Sequence, residues 1–262
     1  MQSTELADLL EKHEETSNAE SARRIGGEIW DRGDALVFSS KPEFGSGLNF
    51  ACRVRSDESY IENLIAEVDT WFAQRGITPH FRVSPLTRPA NLAQRLEHRG
   101  FARTETETQM VLAGEDVEPP TRAASPITIR QIETHGLDCW AEIQSRGFGM
   151  EPTPTVMELA RTSAESKNHS LYLASLNGEA AGAGTLIEWA GAGGIYGVAT
   201  LPQARKRGVA TALVRQMIRD ARTRGNAPIC LQAETDTPTQ RWYERLGFRA
   251  VYDRTGWTKK TH

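Results

Sequence analysis

Apolar residues recur every three or four positions along two long stretches of the chain, and both read as amphipathic helices. In the first, Ile61, Leu64, Ile65, Val68, Trp71 and Phe72 share one side. In the second, residues 205–224, the stripe is Val209, Leu213, Met217, Ile218 and Ala221. Residues 137–146 form a shorter helix with Leu137, Trp140, Ala141 and Ile143 on one side. Thr153 and Pro154 open another that runs through Ala164. Residues 3–30 are expected to form one or two helices, joined near residues 16–18. Leu6, Leu9 and Leu10 form one stripe there, and Ile25, Ile29 and Trp30 a second; both would pack on the domain that follows. Strands are expected at 127–130, 170–176, 180–189 and 194–201. Asn177-Gly178 between two of them is a strong hairpin signal, and residues 191–193 supply the next turn.

The segment 113–126, AGEDVEPPTRAASP, clusters prolines, small residues and acids without periodicity, as a linker does. It divides the chain into residues 1–118 and 119–262. The two parts echo one another. In the second, a helix ends at RTRG (222–225). The strand PICLQAE follows, and the helix TPTQRWYERLG leads through Gly247-Phe248 into FRAVYDR and GWTKK, read as a last hairpin. In the first, a helix ends at AQRG (73–76). The strand TPHFRVS follows, and the helix PANLAQRLEHRG leads through Gly100-Phe101 into FARTETETQMVL. Each glycine sits where a left-handed helix C-cap is expected. A duplicated α/β unit is the reading.

Composition adds bounds. The 262 residues are 39% hydrophobic and 25% charged, enough for a sizeable core. A net charge of -3 argues against a nucleic-acid partner. Cys52, Cys139 and Cys230 are far apart and form no metal or disulfide pattern, so no metal is expected. The polar N-terminus lacks the apolar core of a secretory signal, and no apolar run is long enough for a membrane span. A cytoplasmic location and no membrane partner are the expectation.

Candidate chemistry concentrates in GVATLPQARKRGVATALVRQM (residues 197–217), where a strand ends, a basic loop follows and a helix opens near Gly208. The first turn of a helix offers unpaired N–H groups and the positive end of the dipole, a receptor for phosphate oxygens. Gly208 removes a side chain where a phosphate must approach the backbone, and Ala210 keeps that face small. Arg205, Lys206 and Arg207 add positive charge.

Residues Arg205 to Ala210 resemble the R/Q-x-x-G-x-G/A loop of the GCN5-related N-acetyltransferase (GNAT) superfamily. The run from Trp242 to Phe248, WYERLGF, resembles that family's L-Y-x-x-L-G-F segment. With the order of strand, loop, helix, strand, helix and Gly-Phe strand, the resemblance covers about residues 127–258 and implies a mixed, splayed α/β sheet flanked by helices, present twice with the N-terminal copy degenerate. The resemblance implies that Arg205, Lys206, Arg207, Gly208, Val209, Ala210 and Thr211 hold the pyrophosphate of acetyl-CoA. Val198, Ala199 and Thr200 would pair with its pantetheine arm, and Tyr243 would protonate the departing thiolate. Asp236 stands where many relatives have asparagine, and Thr239 where alanine often follows. Asp236 either contacts the pantetheine region or caps the helix that Pro238 begins. The strand before the loop carries no carboxylate. Glu188 and Glu234 are the candidate general bases, each equally readable as a solvent-facing strand residue. The N-terminal part has no phosphate loop, and Asp57 and Glu58 at its helix start oppose phosphate. It also lacks the tyrosine.

The implied reaction is acetyl transfer from acetyl-CoA to a primary amine. A small molecule is the expected acceptor; a protein N-terminus or lysine stays open, as does a longer acyl chain, which Gly182 and Gly184 leave open without favouring it. The alternative is an acyl-CoA-binding or ligand-sensing module without turnover.

Overall fold

The computed structural model describes residues 3–114 and 126–260. Most of the expected linker, and the expected boundary at 118/119, lie outside the described residues. The first elements are α1 (Ser3–Arg24), β1 (Glu28–Asp31), β2 (Leu36–Ser39), α2 (Gly45–Leu48), β3 (Phe50–Cys52), α3 (Ile61–Ala73), β4 (His80–Val83), α4 (Leu92–His98) and β5 (Phe101–Leu112). There follow β6 (Ile127–Ile132), α5 (Leu137–Gly147), α6 (Pro154–Ala164), β7 (His169–Leu176), β8 (Glu179–Trp189), β9 (Ala192–Thr200), α7 (Val209–Thr223), β10 (Ile229–Glu234), α8 (Pro238–Arg245) and β11 (Phe248–Lys259).

Two compact units form, and they are not contiguous in sequence. One gathers the residues up to Met110 with Gln232–Arg241 and the chain from Ala250 on; the other gathers Val111–Leu231 and Trp242–Arg249. The last strand of the chain therefore belongs with the N-terminal residues. It runs antiparallel to β4, with Thr255 opposite Val83 and Trp257 opposite Phe81.

In the first unit the strands run β1-β2-β3-β4-β11-β5. The apolar stripe of α3 (Ile61, Leu64, Ile65, Val68 and Phe72) is fully buried against Val37, Ala51, Phe81 and Phe101. Helix α1 is one continuous helix, not two, and the hydroxyl of Thr16 bonds back to the Lys12 carbonyl within it (2.7 Å). It stops at Arg24, before the second stripe. Gly26 is left-handed (φ 73°), and a side chain at Gly27 would meet the Ser39 carbonyl oxygen at 2.8 Å. Ile29 and Trp30 consequently lie on β1, where Trp30 stacks on Trp71 with ring centroids 4.9 Å apart. The expected last hairpin is one strand, β11. Gly256 is no turn: it lies in the strand against the Glu105 carboxylate, which a β-carbon there would strike.

In the second unit the order is β10-β9-β8-β7-β6. Strands β6 to β9 are antiparallel neighbours, and β9 and β10 are parallel. This is the mixed α/β sheet that the sequence predicted. Asn177 (φ 55°) and Gly178 (φ 88°) turn β7 into β8 as expected. Thr153 caps α6 by accepting the Val156 N–H, with Pro154 in the first turn. Leu171, Leu173, Ala183 and Ala199 form one face of the sheet under α5 and α6.

Helix α7 lies over the other face, seated in a row of glycines. A β-carbon at Gly182 would meet Val209 Cγ1 at 2.6 Å and Leu213 Cδ1 at 3.0 Å; one at Gly184 would meet Met217 Cε at 3.0 Å; one at Gly193 would meet Ala221 Cβ at 3.1 Å. The space that Gly182 and Gly184 leave is thus filled by helix side chains, which removes it as room for a longer acyl chain. Gly182→Val is expected to destabilise the protein by about 2 kcal/mol through overpacking. Equilibrium urea unfolding measures this, and a change below about 0.5 kcal/mol would contradict the packing argument.

Candidate acyl-donor site

Strand β9 pairs with β10 over only two residues, Gly193 with Ile229 and Gly194 with Cys230. Beyond them the two strands part, and among the described residues β8 is the strand paired with residues 195–200 of β9. A β-bulge interrupts that remaining ladder. Ala183 faces Ala199 and Thr185 faces Tyr196, so Gly197 and Val198 together stand opposite Gly184. Gly197 is left-handed (φ 58°), a conformation that glycine adopts without strain.

Helix α5 reaches this irregularity. Gln144 Nε2 donates to the Gly197 carbonyl at 2.5 Å, and Trp140 Nε1 donates to the Gly184 carbonyl at 3.3 Å. Both side chains are buried. At the end of α5, a β-carbon on Gly147 would meet Ala199 Cβ at 2.8 Å, so glycine lets the helix lie directly on β9. The sequence placed Trp140 in a packing stripe and left Gln144 unremarked. Its signal was a polar side chain seven residues after Leu137, on the stripe's own side.

After β9 the chain passes through a short 3-10 turn, Pro202–Ala204, into the basic loop. Helix α7 begins at Val209, directly after Gly208, where the helix was expected to open and inside the 205–224 stretch; Lys206 (φ 59°) and Gly208 (φ 86°) are left-handed. Its first internal bond runs from the Ala212 N–H to the Gly208 carbonyl. The N–H groups of Val209, Ala210 and Thr211 come before that bond and have no carbonyl four residues back inside the helix. No side chain caps this end and no acid lies in its first turn. Gly208 is exposed, and a β-carbon there would meet only Ile127 Cδ1, at 3.6 Å. The surroundings suit a phosphate.

Arg205, Lys206 and Arg207 are exposed. Arg205 is also a clamp: its Nη2 donates to the Gly147 carbonyl at 2.8 Å and its Nε to the Thr200 carbonyl at 3.4 Å. Val198 is half-buried on the bulge. Ala199 turns its methyl into the α5 core. The Thr200 hydroxyl is buried, with no hydrogen-bond partner among the described residues, at the strand end that leads into the loop.

The candidate bases fare differently. Glu188 accepts from Arg224 and Asn226 and pairs across the hairpin with Gly193, four residues along β8 from the bulge. Its carboxylate is held by that ion pair, away from Gly197 and Val198. Glu234 is exposed at the end of β10, its backbone carbonyl accepting from the Thr237 hydroxyl at 2.7 Å. Asp236 is not the helix cap. It is left-handed (φ 62°), and Thr237 caps α8 by accepting the Gln240 N–H at 3.2 Å. Gln240 Oε1 in return accepts the Asp236 N–H at 2.6 Å, a variant of the capping box.

Tyr243 is buried, and Trp242 beside it is half-buried. The Tyr243 ring meets Phe248 edge-on at 5.9 Å and Trp242 at 4.5 Å. Burial pushes its phenol up to about 12.

Residues 137–248 match the family model described as "Acetyltransferase (GNAT) family". No protein of curated function matches the sequence. Among solved structures, the chain is similar to a GCN5-related N-acetyltransferase from Kribbella flavida. That pair has a TM-score of 0.73 at 15% identity, over 95% of this chain and 96% of that one. It is also similar to a GCN5-related N-acetyltransferase from Sphaerobacter thermophilus (TM-score 0.68, 20% identity, 86% and 76%). A third, a conserved protein of unknown function from Staphylococcus epidermidis, gives 0.66 at 12% identity over 91% and 96%. These likenesses establish the fold.

Proposed function

We propose that the acetyltransferase region at residues 137–248 binds acetyl-CoA along the parted β9 and transfers its acetyl group to a primary amine. The observation that carries this reading is the parting of β9 from β10 beside a helix N-terminus free of acids. The N–H groups of Val209, Ala210 and Thr211, with Lys206 and Arg207, would hold the pyrophosphate. The Thr200 hydroxyl and the open edge at Val198 and Ala199 would line the pantetheine arm.

In the transfer, the neutral amine nitrogen forms a bond to the thioester carbonyl carbon and the carbon–sulfur bond breaks. The Val198 N–H would stabilise the oxyanion, and Tyr243 would give its proton to the leaving sulfur. The amine's surplus proton passes to water, since Glu188 is engaged elsewhere and Glu234 is exposed. Small-molecule amines are the preferred acceptors. A protein lysine or N-terminus would need an open groove for its flanking residues.

The N-terminal part, residues 1–118, is proposed as a degenerate copy of residues 119–262. The order β3-α3-β4-α4-β5 repeats β9-α7-β10-α8-β11, and Gly100 (φ 81°) and Gly247 (φ 93°) hold the same left-handed place before the last strand. Tyr60, not glycine, precedes α3.

Titration calorimetry with acetyl-CoA is expected to give one site per chain, and thiol-release assays with an amine panel to give turnover. Binding without release of thiol across the panel would favour the second reading, an acyl-CoA-sensing module. No binding would overturn both.

A further inference from the structure

Trp140 and Gln144 lie one turn apart on α5, so both project from one side of the helix. Their donors end on two backbone carbonyls, those of Gly184 on β8 and Gly197 on β9, residues that stand opposite each other at the bulge. A bulge interrupts the ladder, so carbonyls there need partners from elsewhere. Both partners come from a single helix, whose end is fixed to β9 through Gly147 and Arg205.

The Gly197 carbonyl shares a peptide plane with the Val198 N–H. In a trans peptide the oxygen and the amide hydrogen point in opposite directions. A donor that holds the oxygen on the α5 side thereby turns the hydrogen away from α5. Gln144 is buried, and a β-carbon at Gly197 would sit 3.0 Å from its Oε1, so glycine is also what admits the carboxamide.

We infer that Gln144, supported by Trp140, is a positioning residue: it sets the Gly197–Val198 peptide so that the Val198 N–H meets the carbonyl of the acyl donor. This rests on the reading of β9 as the acyl-donor strand. Preorganisation matters because a donor aimed before the reaction needs no reorientation during it.

The test uses infrared difference spectra of the full-length protein with [1-13C]acetyl-CoA against unlabelled acetyl-CoA, with no amine present. A hydrogen bond to the thioester carbonyl lowers its stretching frequency. In Gln144→Met, close in size but without donors, the bound carbonyl band is expected at higher frequency than in wild type. On the best amine of the panel, kcat should fall on the order of 10-fold, less than the 10²-fold or more for loss of a whole oxyanion donor. Affinity for free CoA, which has no acyl carbonyl, should not change.

Gln144→Glu adds a titratable donor. Its carboxylate cannot donate to the Gly197 carbonyl, whereas its acid form can. The band should move back towards the wild-type position as pH is lowered, while the wild-type band stays in place. Trp140→Phe keeps an aromatic but smaller ring and loses the N–H, and should shift the band in the same direction by less. It also serves if Gln144→Met does not fold. An unshifted band and unchanged kcat in a folded variant that binds CoA would overturn the positioning role alone. Failure of the wild type to bind acetyl-CoA would instead overturn the reading beneath it.

Discussion

Gly208→Glu is expected to abolish binding of acetyl-CoA, weakening it more than 10²-fold, while the protein stays folded. Three physical effects act together. Gly208 is left-handed at φ 86°, which a residue with a β-carbon adopts only with strain. The new carboxylate would stand at the first turn of α7, where the dipole and the N–H groups of Val209 to Thr211 attract it. It would then occupy the place proposed for the pyrophosphate and repel it. The space around Gly208 is open, with only Ile127 Cδ1 near a β-carbon, so the fold tolerates the bulk. Calorimetry on wild type and variant measures the loss, and circular dichroism checks the fold. Gly208→Ala separates the effects: it keeps the strain and omits the charge, and should weaken binding far less. Wild-type affinity in a folded Gly208→Glu protein would exclude this helix end as the phosphate receptor.

Tyr243→Phe should lower kcat on the order of 10²-fold, the low end for a lost general acid. The substitution keeps the ring that packs edge-on against Phe248 and removes only the hydroxyl. Thermal stability and affinity for acetyl-CoA should therefore change little. Burial raises the phenol to about 12, because the phenolate is disfavoured away from water. The group consequently keeps its proton throughout the working range; the same shift makes it a weaker acid, so the proposed transfer to sulfur rests on its position and not on its acidity. A group with this raised value loses its proton only as pH climbs through about 12, so the pH profile of kcat should show no falling limb from this group below about pH 11. Wild-type turnover in the Phe variant, with chemistry shown to be rate-limiting, would leave Tyr243 as a packing residue only.

Much of the second unit could be read directly from local patterns. Thr153-Pro154, Asn177-Gly178, Gly247-Phe248 and the stripe of α7 carry their conformations within a few residues, since caps, primed turns and amphipathic faces are short-range effects. The basic loop before Gly208 was legible for the same reason. The helix opening near Gly208 was legible too; the left-handed turn at Lys206 was not, because nothing in Arg205-Lys206-Arg207 announces it.

What escaped the sequence involves partners distant along the chain. Glu188 looked available as a base until Arg224 and Asn226, on a later helix end and the loop after it, claimed both its oxygens. Asp236 looked like a cap, but the geometry gave that role to Thr237, one residue on. Gln144 had no visible purpose because the carbonyl that it holds lies 53 residues away and is exposed only by a bulge in β9. FRAVYDR and GWTKK, read as a last hairpin, form one strand in which Gly256 makes room for the Glu105 carboxylate. Helix, turn and phosphate-loop chemistry are written in neighbouring residues; strand pairing, bulge placement and the company of a carboxylate depend on which distant segments fold together.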